Sequence, residues 1–180
     1  MRKSREEAAQ TRRRIVEAAS REFREQGIVA TGLSDLMKAA GLTHGGFYKH
    51  FESKGQLVAE AYAEAVDATL DAMAAHPTLE SAAAAYLSPG HRDDPASGCP
   101  LAAIGSELAR TDEKTRAAVT AGVERLVQLL QGKSKAKDAR RKALTAVSTM
   151  IGALTLSRVV SDPELSADIL SEVEKSLTNG

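Results

Sequence analysis

Along most of this chain apolar residues recur three and four positions apart, the spacing of one face of an α-helix. Near the start, Ile15, Ala18, Ala19 and Phe23 fall on one face and predict a helix from near Arg5 to Gln26. Gly27, followed by Ile28, reads as its C-terminal stop with the accompanying hydrophobic contact. Thr31-Gly32 offers an N-cap for LSDLMKAA, in which Leu33, Leu36 and Ala40 form a short apolar stripe. Gly41 interrupts, Thr43 caps a helix to about His50, and Ser53 caps a long one from Lys54 to about Ala75, before Pro77. Thr78 opens TLESAAAAYL, and residues 88–98, SPGHRDDPASG, read as a loop. Pro100 suits the first turn of PLAAIGSELAR, and Asp112-Glu113 begins a helix to Gln131. Further helices run from about Ala136 to Val160 and onward from Pro163. The pattern predicts about nine helices and an all-α fold.

Composition narrows the setting. No apolar run approaches the ~20 residues that span a bilayer, and the charged start, MRKSREEAAQTRRR, lacks the apolar stretch of a signal peptide. Cys99 is the only cysteine, so no internal disulfide forms, and a cytoplasmic location is expected. The net charge of zero conceals an asymmetry: residues 1–60 hold 11 basic against 8 acidic side chains, and residues 61–180 hold 13 against 16. A basic N-terminal part on a neutral protein points to a polyanion at that end, although a solvated helix start has the same composition. Arg12, Arg13 and Arg14 fit either role.

Residues 41–54, GLTHGGFYKHFESK, place Phe47, Tyr48 and Phe51, half of the chain's aromatics, within five positions beside two glycines and two histidines. Two short helices joined by a tight Gly turn in a basic region have the form of a helix-turn-helix. The run TGLSDLMKAAGLTHGGFYKHFESKGQLV resembles the DNA-binding signature of the TetR/AcrR family of bacterial repressors, with the first helix in place before it. By that resemblance His44, Gly45 and Gly46 match the start of the recognition helix, which faces base edges. Thr43, Tyr48, His50 and Lys54 match positions that grip phosphates, Phe47 and Phe51 match bracing core positions, and Lys49 falls where the family varies. A stiff ring presents the Tyr hydroxyl to phosphate at little entropic cost, and Lys54 adds charge to a helix start. Glycines at 45 and 46 let backbone approach the groove, at about 1 kcal/mol each in helix propensity. Three positions depart from the family pattern: Gly46 lacks the larger residue usual there, Met37 replaces Ala, and Gly55 replaces Glu.

The resemblance implies a helix-turn-helix domain over residues 1–53. It also implies a helical domain over 54–180 that binds a small-molecule effector and forms a homodimer. The dimer has support in the pattern itself. Leu144, Val147, Ile151 and Leu154 form one stripe, and Ala143, Ala146, Met150 and Ala153 carry the apolar surface well round the helix, which therefore needs cover on both sides. Residues 136–160 and 164–177 are the expected interface, a two-fold four-helix face. The double-stranded operator would then be palindromic, with repression relieved by the effector.

Two residues are candidates for the effector site. Cys99, at the N-cap of the helix from Pro100 and near His91 and Arg92 in sequence, is chemically able to serve an electrophile- or redox-responsive regulator; the plainer reading is a small, semi-buried cap residue. Glu107 suits a buried polar anchor or a surface pair with Arg110. The sequence holds no Ser-His-Asp order, Gly-rich phosphate loop or regular metal-ligand spacing, so no catalytic residue, metal or cofactor is expected. A helical interaction module without DNA binding would account for the amphipathic helices, but not for Tyr48, His50 and Lys54 clustered after a Gly turn.

Overall fold

The computed structural model describes residues 5–133 and 137–178, and these contain no β-strand. Helix α1 (Arg5–Gln26) has Glu6 and Glu7 in its first turn, complementing the positive end of the helix dipole. It ends at Gly27, whose φ of 88° needs a residue without a β-carbon. Thr31 does not cap α2 (Leu33–Ala39) as expected: its hydroxyl donates to the Gly27 carbonyl at 2.6 Å, and Gly32 holds the N-cap position. Gly41, at φ 68°, closes α2. The Gly41 and Leu42 N–H groups donate to the Lys38 and Met37 carbonyls at 2.9 and 2.8 Å.

The α-helix expected after Thr43 is instead a 3₁₀ segment, His44–Lys49, and Thr43 makes no side-chain cap. Two adjacent glycines near its start and an uncapped N-terminus leave little to favour full α-helical turns. Ser53 caps α3 (Lys54–Ala74) as predicted, its hydroxyl accepting from the Gln56 N–H at 3.1 Å. Helix α4 (Leu79–Tyr86) begins with a reciprocal capping box between Thr78 and Ser81. The expected 88–98 loop contains a short helix, α5 (Pro89–Asp93). Ser88 accepts from the His91 N–H at 3.2 Å, and Pro89 stands in its first turn. Helix α6 (Pro100–Leu108) is kinked at Ile104, and α7 (Glu113–Gly132) is capped by Asp112. Helices α8 (Ala139–Val159) and α9 (Pro163–Thr178) finish the described chain. The expected start at Ala136 lies outside the described residues. The described residues thus form nine α-helices plus the 3₁₀ segment.

Two buried clusters hold these elements. The first joins Ile15, Ala19 and Phe23 of α1 to Leu36 and Met37 of α2, Phe47 and Phe51, and Leu57 and Ala61 of α3; Ile104 and Leu108 of α6 close it. The second packs α4, α7, α8 and α9 around Tyr86, Leu130, Met150 and Leu154. Helix α3 serves both, lying against α1 near its start and against α7 along its length. Gly55 allows the second contact, because a β-carbon there would come 2.9 Å from an Asp112 carboxylate oxygen.

Candidate nucleic-acid interface and effector cavity

The 41–54 stretch divides its rings between two sides. Phe47 is fully buried and Phe51 nearly so, their rings stacked with centroids 5.5 Å apart. Tyr48 packs edge-on to Phe47 at 5.1 Å yet is 70 % exposed, so its hydroxyl faces solvent from a braced base. Thr43, Gly45 and Lys49 are exposed near it, while Gly46 and His50 are half-buried. The His44 side chain lies outside what the structure describes. A β-carbon on Gly45 would meet nothing within 4 Å, and one on Gly46 would lie 3.4 Å from the Met37 terminal methyl. Two departures from the family pattern therefore fit together: Met37 fills space beneath a bare Gly46.

The basic side chains are used unevenly. Lys54 donates to the carbonyls of Ile28 and Thr31 at 2.5 and 2.7 Å, strapping the α1–α2 turn to the start of α3. Its ammonium is committed within the protein. Arg12 lies 4.5 Å over the Phe51 ring, pairs with Glu60 at 2.6 Å and donates to the His50 carbonyl at 3.3 Å. Arg14 donates to the Ala40 carbonyl at 2.6 Å. Of the three consecutive arginines only Arg13 is exposed with no partner among the described residues.

A second feature lies beyond the helix-turn-helix. Ala68, Thr69, Ala72 and Met73 of α3, His76 beyond it, Ala82 and Ala85 of α4, and the turn leading into α6 line a half-open cavity of about 210 Å³. Cys99 stands at its wall, 1 % exposed and at the N-cap of α6, without a side-chain cap bond. His91 joins three elements here. Its Nε2 accepts from the Cys99 N–H at 2.9 Å, so the neutral ring carries its proton on Nδ1, which donates to the Tyr86 carbonyl at 2.7 Å. Burial, with Arg158 and Arg24 nearby, holds the imidazole pKa below its ordinary value. Both nitrogens are occupied, so neither is open to a metal. Gly98 makes room for the ring: a β-carbon there would come 2.6 Å from it.

Glu107 belongs to neither the cavity nor a pair with Arg110. Its carboxylate accepts from the Val29 N–H at 2.8 Å and abuts Gly27, whereas Arg110 donates to the Ser106 carbonyl. Helix α6 thus runs from the cavity wall at Cys99 to the turn between α1 and α2. Sequence spacing gives no sign of this link, because Glu107 and Val29 are joined only through tertiary packing.

Residues 15–61 match the family model for bacterial regulatory proteins of the tetR family. Residues 63–166, over half the chain, match the C-terminal domain of LmrA/YxaF-like transcriptional regulators. The chain belongs to the TetR family of transcriptional regulators. This TetR-family chain is 40 % identical over 74 residues to the HTH-type transcriptional regulator TtgR of Pseudomonas putida, covering 41 % of this chain and 35 % of that protein. It is 33 % identical over 89 residues to the probable acrEF/envCD operon repressor of Escherichia coli, covering 49 % and 36 %. These matches span about a third of the curated relatives' length. The crystal structure of a TetR transcriptional regulator from Chloroflexus aurantiacus superposes with a TM-score of 0.75 at 28 % identity, covering 96 % of each chain. The TetR-family assignment makes the chain a helix-turn-helix regulator with repressor-type relatives. Among the described residues no helix is long and apolar enough to cross a membrane.

Proposed function

We propose that this regulator represses transcription as a cytoplasmic homodimer on a palindromic operator and is released by a small molecule entering the cavity beside Cys99. The observation that carries the reading is Tyr48, exposed at 70 % yet braced on a fully buried Phe47. A large ring held rigidly in solvent makes sense when a partner covers it, and phosphate oxygens suit its hydroxyl. Thr43 and Lys49 stand beside it as further phosphate contacts, with His44, Gly45 and Gly46 toward the bases. His50, half-buried, would contact the backbone from the edge of this patch. Lys54 would act mainly by fixing the α1–α2 turn and only secondarily through its charge.

Operator variants test the division of labour. Tyr48→Ala is expected to weaken binding to every variant about 10-fold or more, the value of a hydrogen bond to a charged group. His44→Ala is expected to change which variant is preferred. Equal losses on all variants for both substitutions would contradict this division. Cys99 also admits release through thiol chemistry. If Cys99→Ser leaves induction unchanged under peroxide and electrophiles, that route is closed and the cavity alone carries release.

A further inference from the structure

The segment that presents Tyr48 has little order of its own. It is 3₁₀, contains two adjacent glycines and lacks a side-chain N-cap. Its C-terminal end is held from two helices at once. Arg12 of α1 lies 4.5 Å over the Phe51 ring, and its Nε donates to the His50 carbonyl at 3.3 Å. One residue further on, the Glu52 N–H donates to Gln56 Oε1 of α3 at 2.9 Å. Gln56 Nε2 in turn donates to Glu60 Oε1 at 3.1 Å. Glu60 closes the circuit by accepting from both terminal nitrogens of Arg12, Nη2 at 2.6 Å. The consecutive residues His50, Phe51 and Glu52 are thus tied to one network that spans α1 and α3.

All the guanidinium nitrogens of Arg12 are engaged in this circuit, and the Glu60 carboxylate neutralises its charge. A phosphate would have to displace a bidentate carboxylate, the pairing that fixes an arginine's orientation best. The two side chains are 36 % and 31 % exposed, so solvent screens the pair and its share in global stability is small. Its effect is on geometry. Phe51 stacks on Phe47 at 5.5 Å, and Phe47 braces Tyr48 edge-on at 5.1 Å. The hold on Phe51 and its two neighbours therefore passes, ring by ring, to Tyr48.

We infer that Arg12, Glu60 and Gln56 form a clamp that sets the angle at which the Tyr48-bearing segment meets DNA, with Arg12 a positioning residue and not a phosphate contact. This rests on the reading of Tyr48 and its neighbours as the DNA-facing surface.

Glu60→Ala separates positioning from charge. It removes a negative charge close to that surface, so electrostatics alone would tighten binding to any DNA. The full chain is titrated with a fragment selected from source-genome DNA and with a random-sequence duplex of equal length, well below every variant's melting midpoint. Glu60→Ala is expected to bind the selected fragment about 3-fold or more weakly, with its random-sequence affinity held or raised. Arg12→Ala should weaken fragment binding with the salt slope of the wild type, whereas a lost phosphate contact would lower that slope by about one. The double variant should lose no more than the worse single variant, because both substitutions open the same circuit. Should Arg12→Ala fail to fold, Glu60→Ala still decides. Undiminished fragment affinity in Glu60→Ala, a reduced salt slope in Arg12→Ala, or fully additive losses would overturn the clamp. A wild-type chain that does not prefer its selected fragment to random sequence would count against the regulator reading itself. A wild-type preference that Glu60→Ala preserves counts against the clamp alone.

Discussion

A β-carbon on Gly45 meets no atom within 4 Å, so the fold does not require a glycine there. Replacing it by Ala removes unfolded-state freedom worth about 0.4–1 kcal/mol and should raise Tm by ~1–4 °C for a chain of this size. The same methyl would stand on the surface proposed to meet the bases. Gly45→Ala is therefore expected to stabilise the protein while weakening operator binding, read by thermal denaturation and DNA titration on one preparation. A stabilised variant with undiminished operator affinity would show that backbone does not approach DNA at this position. His91 supplies a second test at the residue scale. Its folded-state pKa is held down by burial, below about 6.5 for the unfolded chain. Below that value the unfolded chain takes up a proton that the native imidazole refuses, so stability falls as pH drops through 6.5 and is fully present above it. Melting curves from pH 7.5 to 5.5 should show that fall, with a smaller slope in His91→Gln. Equal slopes would remove His91 from the account.

At the scale of elements, α8 divides into two faces. Ala143, Ala146, Val147, Met150, Ala153 and Leu154 are buried within the chain. Leu144, Leu156 and Val159 remain exposed, and a β-carbon on Gly152 would meet open space. Leu165 of α9 is exposed as well. The single stripe of Leu144, Val147, Ile151 and Leu154 expected from sequence thus splits, because 3.6-residue spacing on a helix apolar nearly all round does not say which side meets its own chain. The outward side is the one proposed to meet a second copy, with Gly152 permitting close approach. Sedimentation at micromolar concentration should give a dimer, and Leu156→Glu with Val159→Glu should give a folded monomer. A wild-type monomer would contradict the interface. Three helix starts were legible, since Ser53, Thr78 and Asp112 announce their caps by type and spacing, whereas Thr31 and Thr43 do not cap the helices expected of them. The 3₁₀ segment and α5 were not, because Gly-Gly and SPGHRDD are weak signals whose outcome depends on what packs around them.

In the whole molecule the two buried clusters meet through α3 and α6. One end of α6 walls the cavity at Cys99, and Glu107 at the other end holds the Val29 N–H between α1 and α2. Helix α6 thus links the cavity wall to the turn that Lys54 also straps. The helix-turn-helix was readable from sequence because its residues lie within one short stretch. The cavity was not, since Ala72, Tyr86, His91 and Cys99 are brought together only by folding, and Glu107 accepts from the Val29 N–H outside it. Whether the regulator grips the DNA backbone around Tyr48 is decided by titrating the chain with a fragment selected from its source genome at 50 and 200 mM salt. Phosphates neutralised by Lys and Arg release counterions, so the affinity is expected to fall by about 100-fold or more between the two. Affinity that does not change with salt, or no fragment retained at 50 mM, would contradict it.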